Sequence, residues 1–354
     1  MMDYQEFKKV LIDEFEMQIY QQGLEYKLDF QDVVKNNGVS LDGIVLRGES
    51  NIAPVVYAEQ YYQDYEGGRN VHDMVRETLQ NLEQNAIMQD FDERHSTDWA
   101  EVKEKVIFQL IGGEENWSRQ EELPCRQEAD LILTYRVLLE VDSDCTASYV
   151  VTNELQKRMG VTEDQLYQAA LSNTPQILPP VFQNMEDTIV NMMFGDLPGE
   201  DGDLDEMLAK MEKSDGMYIL SNNQKWYGAV VALYPEVMDK IAQAFDRDMV
   251  VLPSAVHELI LMPYLPEMDL AEAKAMVSDI NREQVSPEEV LANQVYVYDK
   301  ADRKLMIGEE WERQKVKEQG RPKKTLRETL KEKQGQVAIV PPIRENGTGK
   351  DMER

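Results

Sequence analysis

Apolar residues from Phe7 to Ile19 (Phe7, Val10, Leu11, Phe15, Ile19) recur at steps of three and four, which predicts a helix over 3–22 ended by Gly23. The period then changes to two. Leu24, Tyr26, Leu28 and Phe30 alternate with Glu25, Lys27 and Asp29, the pattern of a half-buried strand. Asn37-Gly38 suits a hairpin turn, and the alternation resumes at Val39 and Leu41. It slips by one at Asp42-Gly43 before Ile44 and Leu46, which predicts a bulge there. A helix stopped by Gly67-Gly68 and another over 71–88 complete a helix-hairpin-helix unit.

Polar "DFDERHSTD" at 90–98 marks a boundary. Beyond it, Trp99, Val102, Val106, Ile107 and Leu110 form a helical stripe. "ADLILTYRVLLEV", 129–141, is a continuous apolar run and predicts a buried strand; "ASYVV", 147–151, predicts a second. Thr152-Asn153 opens a short helix stopped by Gly160, and Thr162 with Gln165 makes a capping box for the next, which the prolines at 175, 179 and 180 close. Two strands around a polar turn are expected in 216–235, a helix over 235–246, a strand over 249–253 and a helix over 269–284. Ser286-Pro287-Glu288-Glu289 has the form of a capping box, and 294–308 that of a hairpin. Interspersed helices and hairpin-linked strands predict an α+β fold: a mixed sheet with flanking helices beside the smaller N-terminal unit. The expected organisation is 1–90 for that unit, 97–308 for the main domain and 309–354 for a charged, flexible tail with a short helix around 323–333.

With 354 residues, 42% of them hydrophobic, the chain has ample material for folded cores. Its formal charge of -30 is unevenly placed. Residues 301–354 carry 14 Lys and Arg against 10 Asp and Glu, so residues 1–300 carry 23 against 57, a net of -34. Such a body repels nucleic-acid phosphates and anionic lipid. No apolar run approaches the ~18 residues of a membrane span. No leader pattern opens the sequence, and two cysteines, Cys125 and Cys145, make no disulfide framework. The expected setting is the cytoplasm, with a protein partner rather than nucleic acid or membrane.

"VVTNELQKRMGVTEDQLYQAALSNT", "MYILSNNQKWYGAVVALYPEVMDKIA", "VVLPSAVHELILMP" and "INREQVSPEEVLANQVYVYD", together with "NNGVSLDGIVLRGESNIAPVVYAEQYYQDYEGG", resemble a bacterial family catalogued as domain of unknown function 5688. The resemblance spans roughly residues 1–305. Segments between 150 and 260 are also distantly similar to a second bacterial group with a Thr-Asn strand end and a later Pro-Ser turn. Both resemblances imply a mixed α/β architecture; neither implies a reaction, a ligand or catalytic residues.

Ser254 and His257 stand three apart and Glu258 follows. A serine nucleophile needs a base within reach and a group orienting that base. Pro253 and Ala255, however, replace the glycines of a nucleophile elbow, and Leu261 stands where a zinc-peptidase helix needs its second histidine. Ser254 as the N-cap of a helix accounts for the stretch. "DGDLDEMLAKME", 201–212, places acids at loop positions 1, 3, 5 and 12 of a calcium loop, but Glu206 takes the position of the required glycine. His72, His95 and His257 have no metal-ligand spacing, and "EGGRN" and "LIGGEEN" lack the context of a phosphate loop. The tyrosines at 57, 61, 62 and 65 are flanked by acids, which favours packing over base stacking. No cofactor and no metal are expected. One pairing remains: if the strands ending at Thr152-Asn153 and at Ser254–His257 are parallel neighbours, both junctions meet at one sheet edge, where helix N-termini favour an anion. The leading functional expectation is a cytosolic, non-enzymatic interaction or accessory protein. The alternatives are a hydrolase or small-anion-binding domain using Ser254, His257, Thr152 and Asn153, and an acidic decoy for a basic nucleic-acid-binding partner.

Overall fold

The computed structural model describes residues 2–48, 53–84, 97–141, 146–194, 204–210 and 213–319. Helix α1 (Tyr4–Gln22) begins where the Asp3 side chain accepts the Glu6 N–H, and it buries Phe7, Leu11, Phe15 and Ile19. Strands β1 (Lys27–Val34), β2 (Ser40–Arg47) and β3 (Val55–Tyr57) form an antiparallel sheet in chain order. Helices α2 (Ala58–Glu66) and α3 (Val71–Gln84) close one side, so that Phe7, Phe15, Ile44, Leu46, Val75 and Leu79 make one apolar cluster. Tyr61, Tyr62 and Tyr65 pack against that cluster.

Residues 97–141 and beyond build the larger part. Helix α4 (Trp99–Val102) leads through a turn into β4 (Val106–Gly112). Strand β6 (Leu131–Val141) pairs along one side with β4, and along the other first with β5 (Arg126–Glu128) and then with β7 (Thr146–Val150). Helices α5 (Asn153–Met159) and α6 (Glu163–Ile177) follow, α6 opened by the expected Thr162–Gln165 capping box. A second sheet has the order β13-β12-β10-β11-β9-β8, every pairing antiparallel, where β8 is Pro180–Asn184, β9 Tyr218–Asn222, β10 Met249–Ala255, β11 Glu258–Pro263, β12 Tyr296–Asp299 and β13 Lys304–Ile307. Interspersed with them are α7 (Met185–Phe194), α8 (Leu204–Lys210), α9 (Val237–Phe245) and α10 (Leu270–Gln284); α11 (Gly308–Gln319) follows β13. Phe108, Tyr135, Leu220, Val231, Ile241, Val251 and Tyr296 belong to one continuous core that both sheets share. The molecule is thus of the α+β class. The described residues up to Glu309 belong to one compact unit, and those from Glu310 to Gln319 to a second.

Several local expectations change. The stripe from Trp99 yields only one helical turn; β4 takes over at Val106 because all seven of its residues are buried, and an unbroken apolar run does not reveal its period. The bulge at Gly43 is absent, since the β1–β2 register is continuous. Glycine is there for space: a Cβ would lie 2.8 Å from Val33 Cγ2 and 3.0 Å from Val55 Cγ1. Helix α6 runs through Pro175 to Ile177. Only one strand, β9, forms in 216–235, and a 3-10 segment, Gly228–Leu233, follows. No helix starts at Ser254. The chain turns at Val256-His257 and returns as β11, whose alternate burial at Leu259, Leu261 and Pro263 is a strand signature inside "HELILMP". Ser286–Glu289 is a turn, and its carbonyls serve another purpose described below. The helices expected over 71–88 and 323–333 lie partly and wholly outside the described residues, as do the ends of the 201–212 acidic loop, His95 and Cys145.

The N-terminal hairpin tip is fastened to the larger part. Asn37, at φ 60°, donates from Nδ2 to the carbonyls of Pro287 (2.8 Å) and Val290 (2.7 Å), and its Oδ1 accepts from Asn116 Nδ2 (2.8 Å). Its N–H donates to Asn116 Oδ1 (3.0 Å), and Asn36 Nδ2 donates to the Glu288 carbonyl (3.0 Å). An asparagine tolerates the left-handed conformation and brings the donors that those carbonyls need.

Candidate functional site

Four segments converge on Arg136. This residue lies on β6, whose odd-numbered neighbours Leu133, Tyr135 and Val137 enter the shared core. Period-two geometry turns Ile132, Thr134, Arg136 and Leu138 to the opposite face. There Leu138 joins Ile107 and Leu178 in a small apolar cluster against which Trp226 packs. Arg136 is therefore a lone cation on a strand whose residues 131–135, 137 and 138 are buried.

Its hydrogen bonds go to neutral groups. Nε donates to Ser148 Oγ (2.8 Å) on β7, Nη1 to Gln109 Oε1 (3.2 Å) on β4, and Nη2 to the Ser148 carbonyl (3.4 Å). The guanidinium carbon lies 5.3 Å from the ring centre of Tyr227 and 5.6 Å from that of Trp226, within cation–π range. Among the described residues no carboxylate pairs with it. Of its five N–H groups, two remain, one on each terminal nitrogen. Burial holds the guanidinium below its ordinary range, and the like charge of Arg119 adds to that depression. Arg119, on the 3-10 segment Trp117–Glu121, is half-buried and also makes no ion pair among the described residues. The charge of Arg119 thus acts on Arg136, and among the described residues neither guanidinium is paired with an acid.

The loop carrying Trp226 and Tyr227 is rigidly built. Asn222, fully buried, accepts the N–H groups of Gln224 (3.1 Å) and Trp226 (3.2 Å) on Oδ1 and donates to the Trp226 carbonyl (2.8 Å). Lys225 and Tyr227 both have positive φ, 50° and 48°. Gly228 passes so close to the Ser221 hydroxyl and the His257 carbonyl that a Cβ would overlap both. His257 completes the assembly: its Nδ1 accepts the Tyr227 N–H (3.1 Å), its carbonyl accepts the Ser221 hydroxyl (2.7 Å), and its ring stacks on Tyr227 at 5.5 Å. With Nδ1 an acceptor, the ring proton is on Nε2, which faces Glu289 Oε1 at 3.6 Å.

The family model described as Family of unknown function (DUF5688) matches residues 4–300. The chain belongs to that family. No curated protein and no solved structure matches it. Every segment around Arg136 in this DUF5688 chain falls inside the matched range.

The residues singled out in the sequence are distributed as follows. His257 is part of the assembly, as an orienting group for Tyr227. Ser254 lies on β10, and its side chain is outside the described residues. The hydroxyl of Thr152 accepts the Leu155 N–H (3.1 Å) as the N-cap of α5. Asn153 donates its backbone N–H to the Glu122 carbonyl (2.8 Å) and Nδ2 to the Glu121 carbonyl (3.0 Å). It thereby fastens α5 to the segment that carries Arg119. The strands before Thr152 and before His257 belong to different sheets, so the parallel edge that would join those two junctions does not form. Arg136, Arg119 and Trp226 are absent from the sequence-level candidates. A signal for the first was present: one arginine inside "LILTYRVLLEV" breaks a run that otherwise contains almost no charge. No described helix is long and apolar enough to cross a membrane, and no three described His, Cys, Asp or Glu side chains gather as a metal site.

Proposed function

We propose that this DUF5688 chain is a cytosolic, non-enzymatic accessory protein that binds a small oxyanion at Arg136 and acts through a protein partner. The observation that carries the reading is the half-buried Arg136 guanidinium, with two N–H donors beyond its three hydrogen bonds, the like charge of Arg119 acting on it and no carboxylate paired with it among the described residues. A fork of two donors matches two oxygens of phosphate or sulfate, and a charge out of water recovers its lost hydration from an opposite charge. The aromatic wall of Trp226 and Tyr227 shields the pair from water, which strengthens the contact. The His257 ring holds the Tyr227 N–H and the Ser221 hydroxyl is engaged by the His257 carbonyl, which supports reading these groups as the frame of an anion site. The net charge of -34 on residues 1–300 disfavours nucleic acid and suits a protein with a basic face.

Titration calorimetry with inorganic phosphate, sulfate and acetate tests the reading. The expected result is saturable binding of phosphate and sulfate with Kd between about 10 µM and 1 mM, roughly -4 to -7 kcal/mol. Acetate, with one charge, is expected to bind at least about tenfold more weakly. R136M is expected to abolish the phosphate signal and R119M to weaken it about tenfold. A phosphate heat no larger than that of acetate, or an unchanged R136M, contradicts the proposal.

A further inference from the structure

The N-terminal sheet leaves one long edge open. Strand β1 pairs on one side only, with β2, and its residues from Asp29 to Asp32 are exposed. The Lys35 N–H donates to the Val39 carbonyl (2.7 Å), which makes 35 and 39 a hydrogen-bonded pair of the antiparallel ladder. The unbroken register carries that parity back along the strand, so Lys27, Asp29, Gln31 and Val33 turn their main-chain groups to β2. Leu28, Phe30, Asp32 and Val34 turn theirs outward. The Phe30 N–H agrees with this: it donates to the Asp29 carboxylate (3.0 Å) and not to β2. The N–H groups of Leu28, Asp32 and Val34 have no acceptor among the described residues. Such edges are ordinarily guarded by a proline, a bulge or brevity, whereas β1 has eight residues, no proline and no bulge.

We infer that β1 takes up, as an added antiparallel strand, an extended segment of a protein partner in which a lysine or arginine stands between two apolar residues, one position removed from each. The side chains of β1 name this occupant. Phe30 is 47% exposed and Val34 60%, and both lie on one face of the strand with Asp32 between them. The residues directly opposite on an added strand touch these three. Apolar groups there cover Phe30 and Val34, and a cation meets Asp32, which has no ion-pair partner among the described residues. The other charges on β1 and beside it are engaged or remote. Asp29 pairs with Arg47 (3.0 Å), Asp42, opposite Asp32 in the register, pairs with Lys8 (2.6 Å), and Lys35 lies over the Tyr57 ring (4.0 Å). Lys27 is at the far end of the strand and on the other face. Asp32 also deters the apolar strands that an open edge otherwise attracts, which makes the cation a condition of pairing. A second copy of β1 does not fill the place: on that face it offers Leu28, Phe30, Asp32 and Val34, none of them a cation, and each chain carries -30. The edge is held ready, since Asn36 and Asn37 at the end of the hairpin donate to the carbonyls of 287, 288 and 290. The inference does not rest on the oxyanion site.

The experiment is fluorescence-anisotropy titration of the full chain into a labelled, end-blocked heptapeptide in which threonines alternate with valine, lysine and valine. Three relatives accompany it. One has glutamate for the lysine. One carries N-methyl groups on valine, lysine and valine, whose N–H groups face β1 in the added strand, and one carries them on the interior threonines, whose N–H groups face away. The expected result is saturable binding of the lysine peptide and of the threonine-methylated form, with the other two at least about tenfold weaker. Hydrogen exchange is expected to slow at the amides of Leu28, Asp32 and Val34 when the lysine peptide is bound. D32K, at an exposed position, is expected to keep the parent's circular dichroism and to prefer the glutamate peptide, while the N-methylated pair reads the main-chain contact without any variant. R136M is expected to bind the lysine peptide as the parent does, which separates this edge from the oxyanion site. No saturable binding of the lysine peptide, equal binding of the two N-methylated forms, or slowed exchange confined to residues outside β1 overturns the inference.

Discussion

A guanidinium half-buried on a strand loses hydration that only a nearby negative charge restores in full. Arg136 has instead two aromatic rings, three neutral acceptors and a second arginine. The supporting residues are fixed by close approach. Gly228 is the tightest of them, because its neighbours are a hydroxyl and a backbone carbonyl, of which the second cannot swing away. G228A is therefore expected to cost about 1–3 kcal/mol of stability and to displace Trp226 and Tyr227. Urea unfolding measures the loss, and tryptophan fluorescence reports the displacement; a variant within about 0.5 kcal/mol of the parent shows that the loop is not packed as described. At this scale the sequence was legible in part. "SNNQKWYG" announces a turn, but nothing in it says that Asn222 is the hub or that His257, 30 positions beyond Tyr227, supplies the acceptor. His257 drew attention for its chemistry, and its place is that of a bracket. Arg136 passed unremarked because an apolar run is read for its hydrophobes.

Turns and hairpins at the next scale show the same division. The Asn37-Gly38 turn is local chemistry and was readable. Its purpose was not, because the partners of Asn37 are 79 positions away at Asn116 and 250 or more away at Pro287 and Val290. Those carbonyls belong to the stretch that looked like a capping box. Ser286–Glu289 stays a turn, and the carbonyls of 287, 288 and 290 accept from Asn36 and Asn37 instead. N37A removes both side-chain donors and places alanine in the left-handed region. It is expected to cost about 2–4 kcal/mol, and N37G less than N37A because glycine accepts the conformation. Urea denaturation of both variants checks the order; an N37A loss under about 0.5 kcal/mol contradicts the tether. The hairpin β10–β11 was hidden for another reason. "SAVHELIL" offers a plausible cap, and a run of eight does not distinguish period 2 from period 3.6 until the burial at Leu259 and Leu261 is seen.

For the whole molecule, charge sets the terms. A body with a net of -34 over residues 1–300 repels free anions at long range, so an oxyanion site needs a strong local cation cluster to work at all. Added salt screens the distant repulsion first, since the Debye length is about 8 Å near physiological ionic strength, while the partly buried contact at Arg136 is screened less. The α+β class was legible because alternating and helical periods switch along the chain at clear turn residues. The strand partners were not, since the β4–β6 pairing brings together segments with no mutual signature, and the separation of β7 and β10 into different sheets has no trace in their sequences. The central claim is that Arg136 awaits a negative charge from outside the fold. The most direct test is thermal unfolding of the parent and R136M with and without saturating inorganic phosphate. The account predicts that phosphate at about 100 times its Kd stabilises the parent by about 2.7 kcal/mol, a rise in Tm of several degrees, and leaves R136M unmoved. It also predicts that R136M without phosphate is at least as stable as the parent. A parent indifferent to phosphate, with R136M destabilised by about 3 kcal/mol or more, would make Arg136 a structural residue and contradict the account.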